Sequence, residues 1–378
     1  MLFGGRSILA VVTTLALAMS YLCAQSILIE NVELKWKTTQ FGGPRLAIAY
    51  RLNSREITSL APAYVFIRMS ANSGGTWRVL RHTELVGNGH GIVATPGKKQ
   101  SFLWGIRDLG LEDDEQLEIR VRGLQMVRIP GGGFNMETTP GAGYDDSKIE
   151  TLVSSLDEFF IAKYETGISL YAEYLNEATS NGGGWQEKMA NPERCGIVRT
   201  RDTGSYRYEV IPGRENFPVN YTSWYDARAF LNWCGLRLPT EAEWEKAARG
   251  GTYLDGDREG ESKNPQPSRR FSWGDDLPNE GGVFRCNFDG PEDGYLHTSP
   301  AGSFSQFCSP YGVCDLAGNV AEWTLDTYTT SYHEGLDGYR VVRGGSYMAV
   351  PVACDTISGA TALPVKESSI IGFRGVSD

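Results

Sequence analysis

The chain has 378 residues, of which 41% are hydrophobic and 22% charged, with a net charge of −10. This length predicts two domains or one large one, and 45 glycines beside that apolar content indicate a globular, loop-rich protein and exclude a disordered one. The acidic balance argues against nucleic acid or an anionic membrane as the main partner.

Residues 1–24 read as a secretory signal peptide. Arg6 gives the positive start, Ile8–Met19 is an almost unbroken apolar core, and Leu22-Cys23-Ala24 precedes Gln25 as a cleavage site. The apolar run is short for a membrane span, and no later segment approaches the ~20 apolar residues that a span needs. Arg6 is the only charge in this leader, so its removal makes the remainder slightly more acidic. Attachment as a lipoprotein through Cys23 is the alternative, but Ser20-Tyr21-Leu22 lacks the small residues that usually flank such a cysteine. The expected destination is secreted or periplasmic. There some of Cys195, Cys234, Cys286, Cys308, Cys314 and Cys354 should pair, in one of about 15 connectivities that sequence cannot choose among. Their spacing is no zinc pattern.

Residues 25–124 read as a separate all-β domain. Ile27–Trp36, Arg45–Leu52, Tyr64–Ser70, Trp77–Leu80, Gln100–Ile106 and Gln116–Val121 are short and rich in β-branched or aromatic residues. In Ala63–Met69, Val65, Ile67 and Met69 fall on one face. Asn72-Ser73-Gly74-Gly75 is a hairpin signal leading through Thr76 into Trp77. Roughly six or seven strands in such a length suggest an immunoglobulin-like sandwich. No charged or histidine cluster suggests chemistry there, so a spacer or docking role is the default.

Residues 125–378 form the second domain. Met126–Pro130 and the run Gly131-Gly132-Gly133-Phe134 open it as a strand and turn; no Gly-Lys-Ser/Thr follows to make a phosphate loop. Phe159–Tyr164 reads as a strand. Ile168, Tyr171, Ala172 and Leu175 fall at helical spacing, and residues 181–184 form a loop. Ser223 caps a helix presenting Ala227, Phe230, Leu231 and Cys234, closed by Gly235. Thr240-Glu241-Ala242-Glu243 is a capping box whose helix ends at Gly250-Gly251. Beyond it the sequence predicts short strands and long loops.

Within that region Tyr311–Trp323, YGVCDLAGNVAEW, places Asp315 and Glu322 on either side of the bend Gly318-Asn319. The bend lets the carbonyls of Gly318 and Val320 face the same point as the two carboxylates, a hard oxygen set suited to Ca²⁺. A Gly-Asn turn with exposed carboxylates is the plain alternative.

Together with RLPTEAEWEKAARGG (Arg237–Gly251), FSWGDD (Phe271–Asp276), VVRGGSY (Val341–Tyr347) and GFRGV (Gly372–Val376), this stretch resembles the formylglycine-generating enzyme family. Its sulfatase-modifying-factor domain is a variant of the C-type-lectin-like fold, and the five motifs stand in family order from about Met126 to Asp378. The fold class expected is therefore α+β: a lectin-like core behind an all-β sandwich. The Ser73–Trp77 pattern also resembles β-sandwich modules that precede this domain in exported bacterial proteins. The resemblance implies two Ca²⁺ sites. One maps to Asn287, Phe288, Asp293 and Tyr295, the other to Asp315, Gly318, Val320 and Glu322. Loops held by hydrogen bonds alone are the alternative.

Family oxidases hold Cu(I) between two cysteines five apart, after the Gly-Gly-Ser motif. Here Ala349 stands at the first position and Cys354 at the second, and one thiolate makes a weak Cu(I) site. The stretch Asp355–Leu363 is also shorter than expected and lacks the arginines of active members. Cys354 is left with three readings: a buried thiol or disulfide, a vestigial metal ligand, or a reactive nucleophile. Ser346 has no histidine near it in sequence, which suits a turn hydrogen bond better than a nucleophile. His82, His90, His297 and His333 are scattered, which also counts against the related iron sulfoxide synthases.

The function expected is a Ca²⁺-stabilised recognition module, catalytically deficient, with the loops between Tyr347 and Gly372 facing a protein or peptide ligand or a cell-surface component. The competing expectation is a copper-dependent oxidase that converts a sulfatase cysteine to formylglycine. The missing thiol at Ala349 separates them.

Overall fold

In a computed structural model of the protein, the residues described are 29–38, 44–52, 57–70, 77–80, 84–87, 90–94, 99–105, 118–138, 149–178, 183–202, 204–256, 262–328 and 338–378. The leader with Cys23, the turn at residues 72–76, His82 and His333 lie outside them. They divide into two compact units: the chain up to Met126 with Trp233–Gly235, and Val127–Asn232 with Leu236–Asp378. Among the described residues no helix is long and apolar enough to cross a membrane.

The first unit is all-β. Strands β1 (Ile29–Thr38), β2 (Pro44–Leu52), β3 (Ala63–Ser70), β4 (Arg78–Val79), β5 (Leu85–Gly87), β6 (Gly91–Val93), β7 (Lys99–Gly105) and β8 (Glu118–Ile129) follow in order. One sheet runs β1-β2-β7-β5. Its antiparallel register sets Leu46 opposite Trp104 and Ile48 opposite Phe102, and all four are buried. β3 pairs antiparallel with β8, β4 and β6. β8 shows the expected period of two, its first residues alternating between partial and full burial. β3 places Val65, Ile67 and Met69 in one hydrophobic cluster, as their spacing predicts, and all eight of its residues are buried. The other face, Tyr64, Phe66, Arg68 and Ser70, is covered as well, so the burial does not alternate.

The second unit is mostly strand and loop with few helices. Hairpin β9 (Gly132–Thr138) with β10 (Ile149–Leu156) opens it, and β11 (Phe159–Ala162) follows. Helix α1 (Ile168–Ala178) buries Ile168, Tyr171, Ala172 and Leu175, the spacing its sequence predicts; Tyr171 stacks on Phe230 with ring centroids 5.5 Å apart. Hairpin β12 (Ile197–Asp202) with β13 (Ser205–Val210) leads to α2 (Trp224–Cys234). Ser223 caps α2 through reciprocal bonds with Asp226, whose N–H donates to Ser223 Oγ at 3.1 Å. Helix α3 (Glu241–Arg249) starts at the capping box: Thr240 Oγ1 accepts from Glu243 N, and the Glu243 carboxylate accepts from Thr240 N.

Among the described residues, the backbone from Gly250 onward is loop with short 3₁₀ turns until β14 (Ala321–Thr327), β15 (Arg340–Arg343), β16 (Gly359–Ala362), β17 (Ile371–Gly372) and β18 (Val376–Ser377). The final sheet runs β16-β15-β14-β17. Its one parallel pairing brings Glu322 of β14 beside Gly372 of β17, while β18 pairs with β11. The chain's end is thereby tied to β11, early in the unit. This closure carries the residues around Arg374 into the interior.

Candidate functional site

The stretch from Tyr311 to Trp323 bends through two left-handed residues, Asp315 at φ 54° and Asn319 at φ 57°, with Gly318 at φ 70° between them. A Cβ on Gly318 would strike the Asn287 carbonyl, so only glycine permits the approach. Asn287 and Gly318 form a parallel bridge, and Asn319 N donates to Asn287 O at 2.8 Å. The two oxygen-rich motifs of the sequence are thus neighbours.

Asn319 is the joint between them. Its Nδ2 donates to Glu165 at 2.7 Å and to Ser299 O at 3.3 Å, while its Oδ1 accepts from Ser299 N at 2.8 Å and from Asn287 Nδ2 at 3.2 Å. Glu165, 1% exposed, takes a second bond from Val320 N at 3.1 Å. Burial first, then the Asp315 and Glu322 charges, hold the Glu165 carboxyl well above its ordinary range. The sequence reading missed Glu165. Its only signal is an acidic residue between a buried strand and an amphipathic helix.

Of Asp315, Gly318, Val320 and Glu322, the two carboxylates are near enough for the Glu322 charge to act on Asp315, but both serve the protein. Both Glu322 oxygens face Arg374, with Nε at 2.7 Å and Nη2 at 2.6 Å, and Trp244 Nε1 adds a bond at 2.9 Å. Asp315 accepts from Gly302 N at 2.7 Å. Burial is the main force raising its pKa to about 6. A guanidinium already neutralises Glu322, so this set does not fit an added cation as it stands.

Asn287, Phe288, Asp293 and Tyr295 fit better. Asp293 folds its own loop by accepting from Phe288 N at 3.0 Å and Tyr295 N at 2.9 Å. Burial still leaves its pKa above the ordinary carboxylate value. Asn287 Nδ2 is engaged with His297 O at 2.8 Å, while Asn287 Oδ1 is buried with no hydrogen-bond partner. An orphaned buried acceptor beside a loop carboxylate is a hard-donor set of the kind Ca²⁺ uses.

The Gly344–Cys354 turn follows. Ser346 is a turn residue: its Oγ accepts from Met348 N at 3.2 Å and its carbonyl from Ala349 N at 2.8 Å. His297 lies edge-on to Tyr347 at 5.7 Å, a pairing hidden by their separation in sequence. Cys354 is 0% exposed. It packs in an apolar cluster with Cys286, Phe288 and Ala317, against which Ala349 rests. At the positions that the resemblance assigns to copper there is therefore one thiol and one methyl group, which does not fit Cu(I). Sequence reasoning names Cys286 only as one of six cysteines that could pair; the fold brings it from another segment into the cluster of Cys354.

Around this turn the polar framework is ionic. Arg343 donates to Glu245 at 2.7 Å and Glu241 at 3.0 Å, and Arg249 to Glu245 at 2.7 Å and Glu137 at 2.6 Å. Arg343 also binds the carbonyls of Thr356 and Ile357, fixing the chain just after Cys354. This revises the expected surface. Residues 354–357 and β16 belong to the framework, and the exposed apolar side chains are Met348, Val350, Val352, Leu363 and Val365.

Residues 114–378 match the family described as the sulfatase-modifying factor enzyme 1-like domain, more than half of the chain. The chain belongs to this family. Among family relatives, the formylglycine-generating enzyme of Streptomyces coelicolor is 36% identical, over 67% of this chain and 88% of that protein. An inactive C-alpha-formylglycine-generating enzyme 2 of Mus musculus is 33% identical over 67% and 85%. The solved structure of PvdO from Pseudomonas aeruginosa superposes with a TM-score of 0.47 and 24% identity, covering 67% of this chain and 93% of that one. The sulfatase-modifying-factor relatives thus include proteins named as active and as inactive. Membership fixes the family and leaves the activity to the residues.

Proposed function

We propose that the protein is an exported, non-catalytic member of the family that binds a protein or peptide ligand or a cell-surface component through its terminal turn. The observation that carries this reading is the facing of residues 348–354. Met348, Val350 and Val352 are 57%, 55% and 46% exposed, whereas Cys354 is sealed. A thiol closed under Ala349 is inaccessible to a substrate cysteine, while a row of apolar side chains on a rigid base suits recognition. The N-terminal unit, in this reading, is an immunoglobulin-like sandwich serving as a spacer.

Ca²⁺ would be held by Asn287 Oδ1, Asp293 and the carbonyls of Phe288 and Tyr295, and its contribution is a hard positive charge that ties this loop. The chain's own residues do the rest: Asn319 fixes the Asn287 amide, and the Ser346 turn presents Met348.

A peptide bearing a sulfatase-type cysteine, incubated with the protein, Cu(I) and O₂, should yield no formylglycine. Turnover that Cys354→Ala abolishes would establish the oxidase instead. In the same reading, capture of components from an envelope fraction is lost in Met348→Asp/Val350→Asp. Capture unchanged by those substitutions places recognition elsewhere.

A further inference from the structure

We propose that Cys286 and Cys354 form a covalent cross-link, a disulfide that the sequence pattern does not announce. The two thiols lie inside one apolar cluster, at 2% and 0% exposure, and the hydrogen bond of Cys354 Sγ to Val350 O is a long one, at 3.9 Å. Their segments are held in place on both sides. Asp289 N donates to Ala349 O at 3.0 Å, Asn319 N to Asn287 O at 2.8 Å, and Gly318 N to Gly344 O at 2.8 Å. Gly345 presses on the same sulfur: a Cβ there would lie 3.1 Å from Cys354 Sγ and 2.8 Å from Ala353 O. The same unit already carries one disulfide, Cys308–Cys314, and an exported domain is where further cysteine pairs are expected. Cys195, also buried, is not placed against either sulfur by any of these contacts and serves as the internal control.

The oxidant is a disulfide, either a small molecule or a protein. A thiolate from one cysteine attacks a sulfur of that disulfide and expels one thiol, leaving a mixed disulfide. The second cysteine then attacks its partner's sulfur, the Cys286–Cys354 bond forms, and the second thiol leaves. Two electrons pass from the cysteine pair to the oxidant, and the two protons end on the departing thiols. Since neither sulfur is reachable once the cluster has closed, exchange takes place during folding. The product fastens the turn bearing Met348 to the strip bearing Asn287. It also consumes the thiol at which family chemistry would start. The inference does not depend on the binding reading, because it concerns only the state of two sulfurs.

The full chain, reduced and unfolded, is refolded with mixed reduced and oxidised glutathione, alkylated, and digested without reduction. The expected map contains a peptide pair joining Cys286 to Cys354, the Cys308–Cys314 link, and alkylated Cys195. Alkylation of both Cys286 and Cys354 while Cys308–Cys314 is intact overturns the proposal. A second measurement compares melting temperatures of oxidised and reduced protein. The part of the difference due to this link should vanish equally in Cys286→Ala, Cys354→Ala and the double variant. A difference that persists undiminished in all three overturns it too.

Discussion

Arg374 meets Glu322 in a two-pronged pair, Nε against one carboxylate oxygen at 2.7 Å and Nη2 against the other at 2.6 Å. Its remaining donors reach the carbonyls of Ala162, Lys163, Cys314 and Asp315 at 2.9–3.1 Å. One side chain from the last turn of the chain therefore ties together the end of β11 and the bend that holds the oxygen-rich motif. A planar, five-donor guanidinium can do this; an ammonium cannot.

Breaking that pair should be expensive. Both partners are buried, and removing one member of a buried ion pair strands the other, at a cost of about 3–5 kcal/mol. Arg374→Met should lose stability in that range by urea denaturation, and Arg374→Lys most of it. Arg78→Ala, which cuts an exposed pair with Glu84, should cost no more than about 1 kcal/mol. Equal losses at the two positions would mean that the Arg374 centre is not structural.

The carboxylates around Arg374 predict an unusual pH trend. Burial raises the pKa of Asp315 from its model-compound value of 3.8 to about 6, against the lowering influence of the Gly302 N–H, Arg374 and Lys163; Glu322 pushes it up further. Glu165 is shifted the same way. With the folded pKa above the unfolded one, the native state retains a proton that the unfolded chain has released. This contribution is fully present below the unfolded pKa and is lost as pH rises through about 6. Asp315→Asn should flatten the stability profile between pH about 4 and 6, measured by urea unfolding across that window. A variant profile parallel to the wild type would show that Asp315 does not hold the proton.

How much of this was legible depended on whether the signal was local. The helices were readable because Ser223 and Thr240 are caps followed by apolar periodicity, and both caps form. The family motifs located the bend at Gly318-Asn319. What sequence could not supply was pairing at a distance. Glu165 meets Asn319 across 154 residues, Arg374 meets Glu322 across 52, and Cys286 reaches Cys354 through tertiary packing. The buried face of α3 was opaque for another reason. Glu245 and Arg249 look like solvent residues in a sequence, yet partners from β9 and β15 neutralise them in the core.

The Asn287–Tyr295 loop predicts a metal response. A ligand at 100 times its Kd that binds only the folded state adds about 2.7 kcal/mol. Ca²⁺ should therefore raise the melting temperature, and Asp293→Ala should remove the rise while leaving the metal-free protein folded. Asn287→Asp should keep or strengthen it, because the orphaned acceptor becomes a charged one. Melting curves identical with Ca²⁺ and with chelator would reject the site.

The final prediction tests how far the terminal turn stands from an oxidase. Ala349 rests on the cluster containing Cys354, so Ala349→Cys places a second sulfur close to the first at the spacing that the family uses. Two thiolates suit a linear Cu(I) ion where one competes poorly with thiols in solution. In a Cys286→Ala background, which keeps Cys354 from a rival partner, Ala349→Cys should tighten Cu(I) retention at least about tenfold, about 1.4 kcal/mol, in competition with a chromophoric chelator. Peptide turnover should still be absent. The stretch after Cys354 supplies no arginine before Lys366, and Arg343 fixes the carbonyls of Thr356 and Ile357 where a mobile substrate loop would be required. If the double variant binds Cu(I) and also produces formylglycine, the missing sulfur was the whole defect and the recognition reading of this turn fails.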